Sequence, residues 1–257
     1  LAGGAPTVRT PEMVERYSRH LIMPQVGSAG QRKIIESSAL IIGAGGLGSP
    51  VALYLATAGV GTVTIADDDV VDLTNLQRQI AHNLSRVGQP KAESAAQTIH
   101  AINPEPRVDA QVRRAGPVEL DEWVASADVV LDCSDNFETR QRVNAACVKH
   151  RKPLVSGAAI GFDGQISVYD TRQAHTPCYA CLFPPGSTFE ETRCATMGVF
   201  APLVGIIGTM QAAEALKLLA GVGQPLAGRL LMLDARSMEW HDVRLQRSRA
   251  VDRQNGR

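Results

Sequence analysis

The run Ile41-Ile42-Gly43-Ala44-Gly45-Gly46-Leu47-Gly48 constrains this chain more than any other stretch. It reads as an apolar strand breaking into a glycine turn, which opens a helix over 50–58. A second strand, 62–66, ends in Asp67-Asp68-Asp69. In a strand–helix–strand unit of this kind the glycines let the backbone approach phosphates, and a carboxylate closing the second strand can hold ribose hydroxyls. Asp67, first after the strand, is the expected ribose ligand, with Asp69 beside it as a further candidate.

The residues downstream separate two kinds of nucleotide. Thr74-Asn75-Leu76-Gln77-Arg78 and Gln89-Pro90-Lys91 place two cations and several amides just beyond the acidic run. A nicotinamide cofactor has little use for so much charge directed at phosphate, whereas ATP does. Pro90 sits where a helix over 91–102 would start, so the Lys91 charge adds to the positive end of that helix. A buried parallel strand, 128–132, leads into Cys133-Ser134-Asp135-Asn136. Asp135 is either a cap for the helix over 137–150 or a carboxylate that holds Mg²⁺ together with substrate phosphates, and Asn136 suits either task.

With 257 residues, the chain can bury a large core, and 44% hydrophobic with 20% charged residues is a soluble globular composition. Twenty-six basic and twenty-six acidic residues cancel, so no global field favours nucleic acid or an anionic membrane. Residues 1–30 show no signal peptide. Residues 39–66 and 195–213 carry no charge, but glycines interrupt the first and Pro202 the second, so both read as buried elements and not membrane spans. A soluble, cytoplasmic protein is expected. Five scattered cysteines, 133, 147, 178, 181 and 194, are not a secreted disulfide framework; reduced thiols, a metal site and a catalytic thiol all stay open.

Strands at 107–112 and 153–156 and a helix at 118–126 complete an alternation that implies an α/β fold: a doubly wound, mostly parallel, Rossmann-like sheet with a C-terminal antiparallel extension. Sites in such sheets lie at the carboxyl ends of the strands, which puts Asp67 and Asp135 on one cleft. The expected organisation is a single domain over 1–257. It comprises a flexible leader (1–11), an N-terminal helical arm (12–38) with a helix over 11–23 and another over 30–36, a nucleotide-binding core (39–157), an extension (158–243) and a flexible tail (244–257). Within the extension lie a strand at 164–169, a long irregular loop (171–198), a helix at 203–219 and strands at 229–233 and 238–243.

Taken together, Arg16-Tyr17-Ser18-Arg19-His20-Leu21, the glycine run, Asp67 through Gln79, Gly88-Gln89-Pro90-Lys91, Leu131 through Asn136, Ser156-Gly157-Ala158-Ala159, Cys178-Tyr179-Ala180-Cys181 and Ala201-Pro202-Leu203-Val204-Gly205 resemble the bacterial sulfur-carrier adenylyltransferases. These are the molybdopterin- and thiamine-pathway activators related to ubiquitin-activating enzymes. The resemblance implies ATP-dependent adenylation of the C-terminal glycine of a small ubiquitin-like carrier ending in Gly-Gly. By motif it assigns Gly46 and its loop to the phosphates, Asp67 to ribose, Asn75, Arg78 and Lys91 to the triphosphate, and Asp135 to Mg²⁺. It also implies a homodimer in which Arg19 reaches the neighbouring subunit's site, a sulfur donor such as a cysteine desulfurase or rhodanese, and Cys194 as a crossover-loop cysteine. That cysteine is covalently linked to the carrier in thiamine-type members and dispensable in the molybdopterin type; Arg193 beside it favours a thiolate. The small residues Gly157-Ala158-Ala159 suit a side-chain-free tail. The chain departs from the family at zinc: Cys178 and Cys181 supply one C-x-x-C pair, no cysteine follows Cys194, and nothing in the spacing of His175 or His241 completes a site.

Two other readings compete. An NAD-dependent oxidoreductase accounts for Gly43 to Gly48 and Asp67 but leaves Arg78, Lys91 and Asp135 without a task. A non-catalytic partner that binds a ubiquitin-like protein needs none of Arg19, Arg78, Lys91 and Asp135.

Overall fold

In the computed structural model, which describes residues 10–186 and 194–247, the chain enters through α1 (Pro11–Arg16), α2 (Ser18–Leu21) and α3 (Gly27–Ile35). Helix begins inside the expected leader, because Thr10 accepts the Met13 N–H at 3.1 Å and Pro11 is preset for a first turn. The expected helix over 11–23 breaks at Tyr17. That ring is buried with Met13 and Ile35, and its hydroxyl is held by Asn103 and Glu105, which pulls the backbone out of register. Residues 1–9 of the leader, 187–193 of the long loop and 248–257 of the tail lie outside the described residues.

The core then follows as β1 (Ser38–Ile42), α4 (Gly48–Thr57), β2 (Thr62–Ala66), α5 (Lys91–Ile102), β3 (Arg107–Gln111), α6 (Pro117–Ala125), β4 (Val129–Asp132), α7 (Phe137–His150) and β5 (Pro153–Ile160). After the antiparallel strand β6 (Asp163–Asp170) come α8 (Tyr179–Leu182), α9 (Cys194–Met197), α10 (Ala201–Ala220), β7 (Arg229–Asp234) and β8 (Glu239–Arg244). One sheet of eight strands results, in the order β3-β2-β1-β4-β5-β6-β7-β8. The first five are parallel and the last three antiparallel. β5 runs four residues past the expected strand end and through position 157: its first half pairs with β4, and its whole length pairs with β6.

The sheet separates two apolar layers. On one side Ile41 and Ile65 pack with Leu55 of α4, Ile99 of α5 and Leu203 and Ile207 of α10; on the other Leu40, Ile42 and Val130 pack with Leu120 of α6 and Val143 of α7. Successive strand side chains point to opposite faces, so consecutive apolar residues in β1 serve both layers. α10 is the one helix among the described residues long and apolar enough to cross a membrane, and half of it is buried in this fold, against α4 and β5.

Register aligns the site. Ile42 pairs with Ala66 on one side and Asp132 on the other, so Gly43, Asp67 and Cys133 leave the sheet at one level. Gly43 turns there with φ 101°, and a β-carbon on it would lie 2.6 Å from the Cys133 carbonyl oxygen. One turn on, a β-carbon at Gly48 would sit 1.9 Å from the Gly43 oxygen. Only glycine lets the helix start this close to the strand end.

Candidate active site

Strand order reverses direction between β1 and β4, and a cleft of about 640 Å³ opens at their carboxyl ends. Its wall brings together Gly43, Gly45, Gly46, Asp67, Asp69, Arg78, Lys91, Asp135 and Asn136, residues from the three connections that follow β1, β2 and β4.

Asp67 closes β2 and is tied to the glycine turn. One oxygen accepts the Ala44 N–H at 2.8 Å, the other the Asp69 N–H at 2.8 Å. Burial pushes its carboxyl above the usual aspartate range, while these two bonds and the nearby Lys91 charge pull the other way. A carboxylate oxygen has two lone pairs, so each keeps one for a hydroxyl. Lys91 opens α5 with its backbone N–H on the Asp69 carbonyl at 2.9 Å. Its side chain is only 9% exposed, and its ammonium lies 3.9 Å from the largely solvated carboxylate of Asp69. A buried cation at a helix N-terminus, loosely paired, is a seat for an anion.

Arg78 is presented by a 3₁₀ turn, Leu73–Gln77, which is fixed by a reciprocal cap. Asp72 accepts from the Thr74 N–H and hydroxyl at 2.9 and 2.6 Å, and Asn75 accepts the Asp72 N–H at 2.8 Å. Thr74, Asn75, Leu76 and Gln77 therefore lie behind Arg78 and outside the cleft wall. Gln77 donates instead to the Val199 carbonyl at 3.3 Å.

The structure divides Asp135 from Asn136. Asn136 caps α7, accepting the Thr139 N–H at 2.8 Å. That leaves the exposed Asp135 carboxylate facing the cleft. A solvated carboxylate beside a phosphate seat fits Mg²⁺, which takes one or two carboxylates and completes its shell with phosphate oxygens and water. The Cys178 and Cys181 sulfurs are 3.8 Å apart beside α7, a separation that two thiolates on one tetrahedral zinc also show, but among the described residues no group of three His, Cys, Asp or Glu that could hold a metal is present.

Sequence reasoning missed part of the wall. Gln79 is buried against Gly45, and its Oε1 has no hydrogen-bond partner among the described residues. Arg113 and Arg114 follow β3, so the strand-end rule applied to the third strand would have found them. Arg113 lies over the Trp123 ring, 5.5 Å from its centroid, and Arg114 comes within 3.9 Å of Glu138. Arg140 is buried and donates to the Ser134 and Gly157 carbonyls at 2.6 and 2.8 Å, joining the β4 loop to β5. Nothing in its local sequence distinguishes it from a surface arginine of α7.

Arg19 stands exposed on α2, bonded to Ser18 at 3.3 Å and away from the cleft of its own chain. Cys194 opens α9; its side chain, like all of Arg193, lies outside the described ones.

An open α/β sheet whose switch point gathers a glycine turn, a ribose-type carboxylate and two phosphate-type cations defines a nucleotide-handling enzyme domain. The model of the ThiF family matches residues 17–253, and the chain belongs to that family. It is 46% identical over 233 residues to the sulfur carrier protein ThiS adenylyltransferase of Escherichia coli (strain K12), covering 91% of this chain and 92% of that one. It is also 46% identical over 248 residues to adenylyltransferase and sulfurtransferase MOCS3-2 of Zea mays, and spans 96% of this chain but about half, 51%, of that protein. Among solved structures, E. coli MccB with ATP matches with a TM-score of 0.79 at 23% identity, over 97% of this chain and 75% of that one. At such low identity the likeness concerns fold.

Proposed function

We propose that this enzyme adenylates the C-terminal glycine carboxylate of a small ubiquitin-like sulfur-carrier protein, activating it for thiocarboxylate formation. A carboxylate oxygen of the carrier attacks the α-phosphorus of ATP, the bond to pyrophosphate breaks, and an acyl-adenylate remains. The observation that carries this reading is the placement of buried Lys91 and of Arg78 in one cleft with Asp67. Asp67 accepts the ribose hydroxyls, the glycine turn lets the phosphates approach its backbone, and Lys91 and Arg78 neutralise the charge that builds on the departing pyrophosphate. Asp135 would hold Mg²⁺, which would supply further charge neutralisation at the phosphates. Ala158, Ala159 and Ile160 line the same cleft from β5 and leave a path for a side-chain-free glycine tail.

The finer reading is that the protein works as a cytoplasmic homodimer, with Arg19 completing the partner's site. It serves a thiamine-, molybdopterin- or related pathway with a desulfurase- or rhodanese-type sulfur donor, and Cys194 carries any covalent carrier adduct. Similarity to adenylyltransferases over nine-tenths of the chain argues against a nicotinamide oxidoreductase. The test is ATP–pyrophosphate exchange with ThiS- and MoaD-type carriers, paired with intact mass of the carrier for added AMP. Exchange that needs no carrier, or a carrier without a Gly-Gly end reacting equally, overturns the reading.

A further inference from the structure

Ala44, inside the glycine turn, is held from both sides. Its N–H donates to Asp67 at 2.8 Å, and its carbonyl oxygen lies 2.7 Å from Nε2 of His82. His82 is itself buried and is not part of the cleft wall. Its other ring nitrogen, Nδ1, lies 2.8 Å from the hydroxyl of Ser94, a fully buried residue of α5. Arg86 in turn reaches that hydroxyl with Nη1 at 3.0 Å and also bonds the Ser94 carbonyl and, at 2.7 Å, the Thr98 hydroxyl.

The chemistry at the two ends sets the direction of every bond between them. A carbonyl only accepts, so Nε2 carries the ring proton; a neutral ring then accepts at Nδ1, so the Ser94 hydroxyl donates there. Arg86, which can only donate, fills one of the two lone pairs on that hydroxyl. Burial lowers the His82 pKa, the Ala44 carbonyl bond opposes it, and the Lys91 and Arg86 charges add to the lowering, so the net shift favours the neutral ring.

The consequence reaches the cleft through the peptide plane. In a planar trans peptide the C=O and the following N–H point in opposite directions. Drawing the Ala44 carbonyl inward to His82 turns the Gly45 N–H outward, on the side where Gly45 lines the cleft. A backbone N–H aimed this way is an anion donor. We propose that His82 is a positioning residue for the adenylation: through Ser94 and Arg86 it holds the Ala44–Gly45 peptide so that the Gly45 N–H faces the phosphate chain of ATP. The proposal rests on the reading of the cleft as the ATP site.

Two measurements on the full chain test it. Long-range ¹⁵N–¹H correlation of labelled wild type reads the His82 tautomer without any ligand, and should show the proton on Nε2; Ser94→Ala should keep it there, the Ala44 carbonyl accepting as before, on a ring less firmly held. Calorimetric titration with ATP should then show His82→Phe, which keeps the ring volume but no nitrogen, weakened about tenfold, the factor expected when one directed hydrogen-bond donor is mis-set. His82→Gln retains a donor at the same bond distance and should recover most of that loss. Carrier affinity should stay within about twofold throughout, the behaviour of a residue that acts on one substrate alone. If His82→Phe does not fold, Ser94→Ala carries the same ATP comparison. A proton on Nδ1 in an ATP-binding wild type overturns the proposal alone, as does equal weakening by Phe and Gln, which would mark a packing role. A wild type with the expected tautomer that fails to bind ATP overturns the reading of the cleft and the proposal with it.

Discussion

The ammonium of Lys91 lies 3.9 Å from the carboxylate of Asp69, yet the lysine side chain is 9% exposed and the aspartate 78%. The distance is too long for a tight ion pair, and the solvated partner contributes little. Replacing Lys91 by Ala should therefore leave the melting temperature near the wild-type value while cutting adenylation by roughly a hundredfold or more, because the cation acts in a closed site on developing charge. Arg78→Ala should behave alike. Pyrophosphate-exchange rates alongside calorimetric melting decide it; wild-type turnover in both folded variants would mean that the triphosphate lies elsewhere.

Arg19 is exposed and does not line its own cleft, whereas Asp135 does. If Arg19 works across a dimer, Arg19→Ala and Asp135→Ala should each be inactive alone. Mixed dimers of the two should recover activity, since one of their two sites then has both residues intact. Co-purification through two different tags, followed by exchange assays, is the measurement. No recovery after verified subunit mixing would place the whole site within one chain.

Asn136 and Asp135 are neighbours with separable effects. Asn136 accepts the Thr139 N–H as the cap of α7, so Asn136→Ala should cost about 1 kcal/mol of stability, the usual penalty for a lost cap. Asp135→Ala should cost almost none and instead lose adenylation activity, which added Mg²⁺ should not restore. Denaturant melts of both variants, with a Mg²⁺ titration of activity, give the contrast; the opposite pattern would exchange the two roles.

Asp67 gives the pH dependence its sign. Burial raises its folded pKa, so this carboxyl takes up a proton at a higher pH than an ordinary aspartate. Its contribution to stability is then fullest below the unfolded pKa and is lost as pH rises through the folded one. Ribose binding runs the other way, because the protonated form gives up an acceptor. ATP affinity should fall on acidification before ordinary carboxylates titrate, and Asp67→Asn should bind ATP weakly with a flatter profile. An acid limb that survives unchanged in that variant would assign the titration to another group.

Much of this architecture could be read along the chain. β2 over Thr62–Ala66, α5 over Lys91–Ile102 and α7 over Phe137–His150 fall where apolar spacing, Pro90 and the neighbouring polar residues put them. These are local decisions: periodicity, caps and glycine content act within a few residues. The glycine turn, Asp67, Arg78 and Lys91, which share one cleft wall, were legible as candidates for the same reason, since each belongs to a short segment with its own chemistry.

Other features depended on residues far away in sequence. β5 continues to Ile160 because β6 pairs with it there, and the N-terminal arm breaks at Tyr17 because Asn103 and Glu105 hold its hydroxyl. Arg140 and Gln79 enter the cleft wall only through the packing of α7 and the loop after β2. His82 carries no sequence signal at all; its task exists because folding sets it between Ala44, thirty-eight residues before it, and Ser94, twelve after. The sequence by itself determined which chemical groups this protein has and which local elements carry them. The tertiary structure decided which of those groups meet, because hydrogen-bond direction and charge act over a few ångströms, and only the folded sheet brings its loops that close.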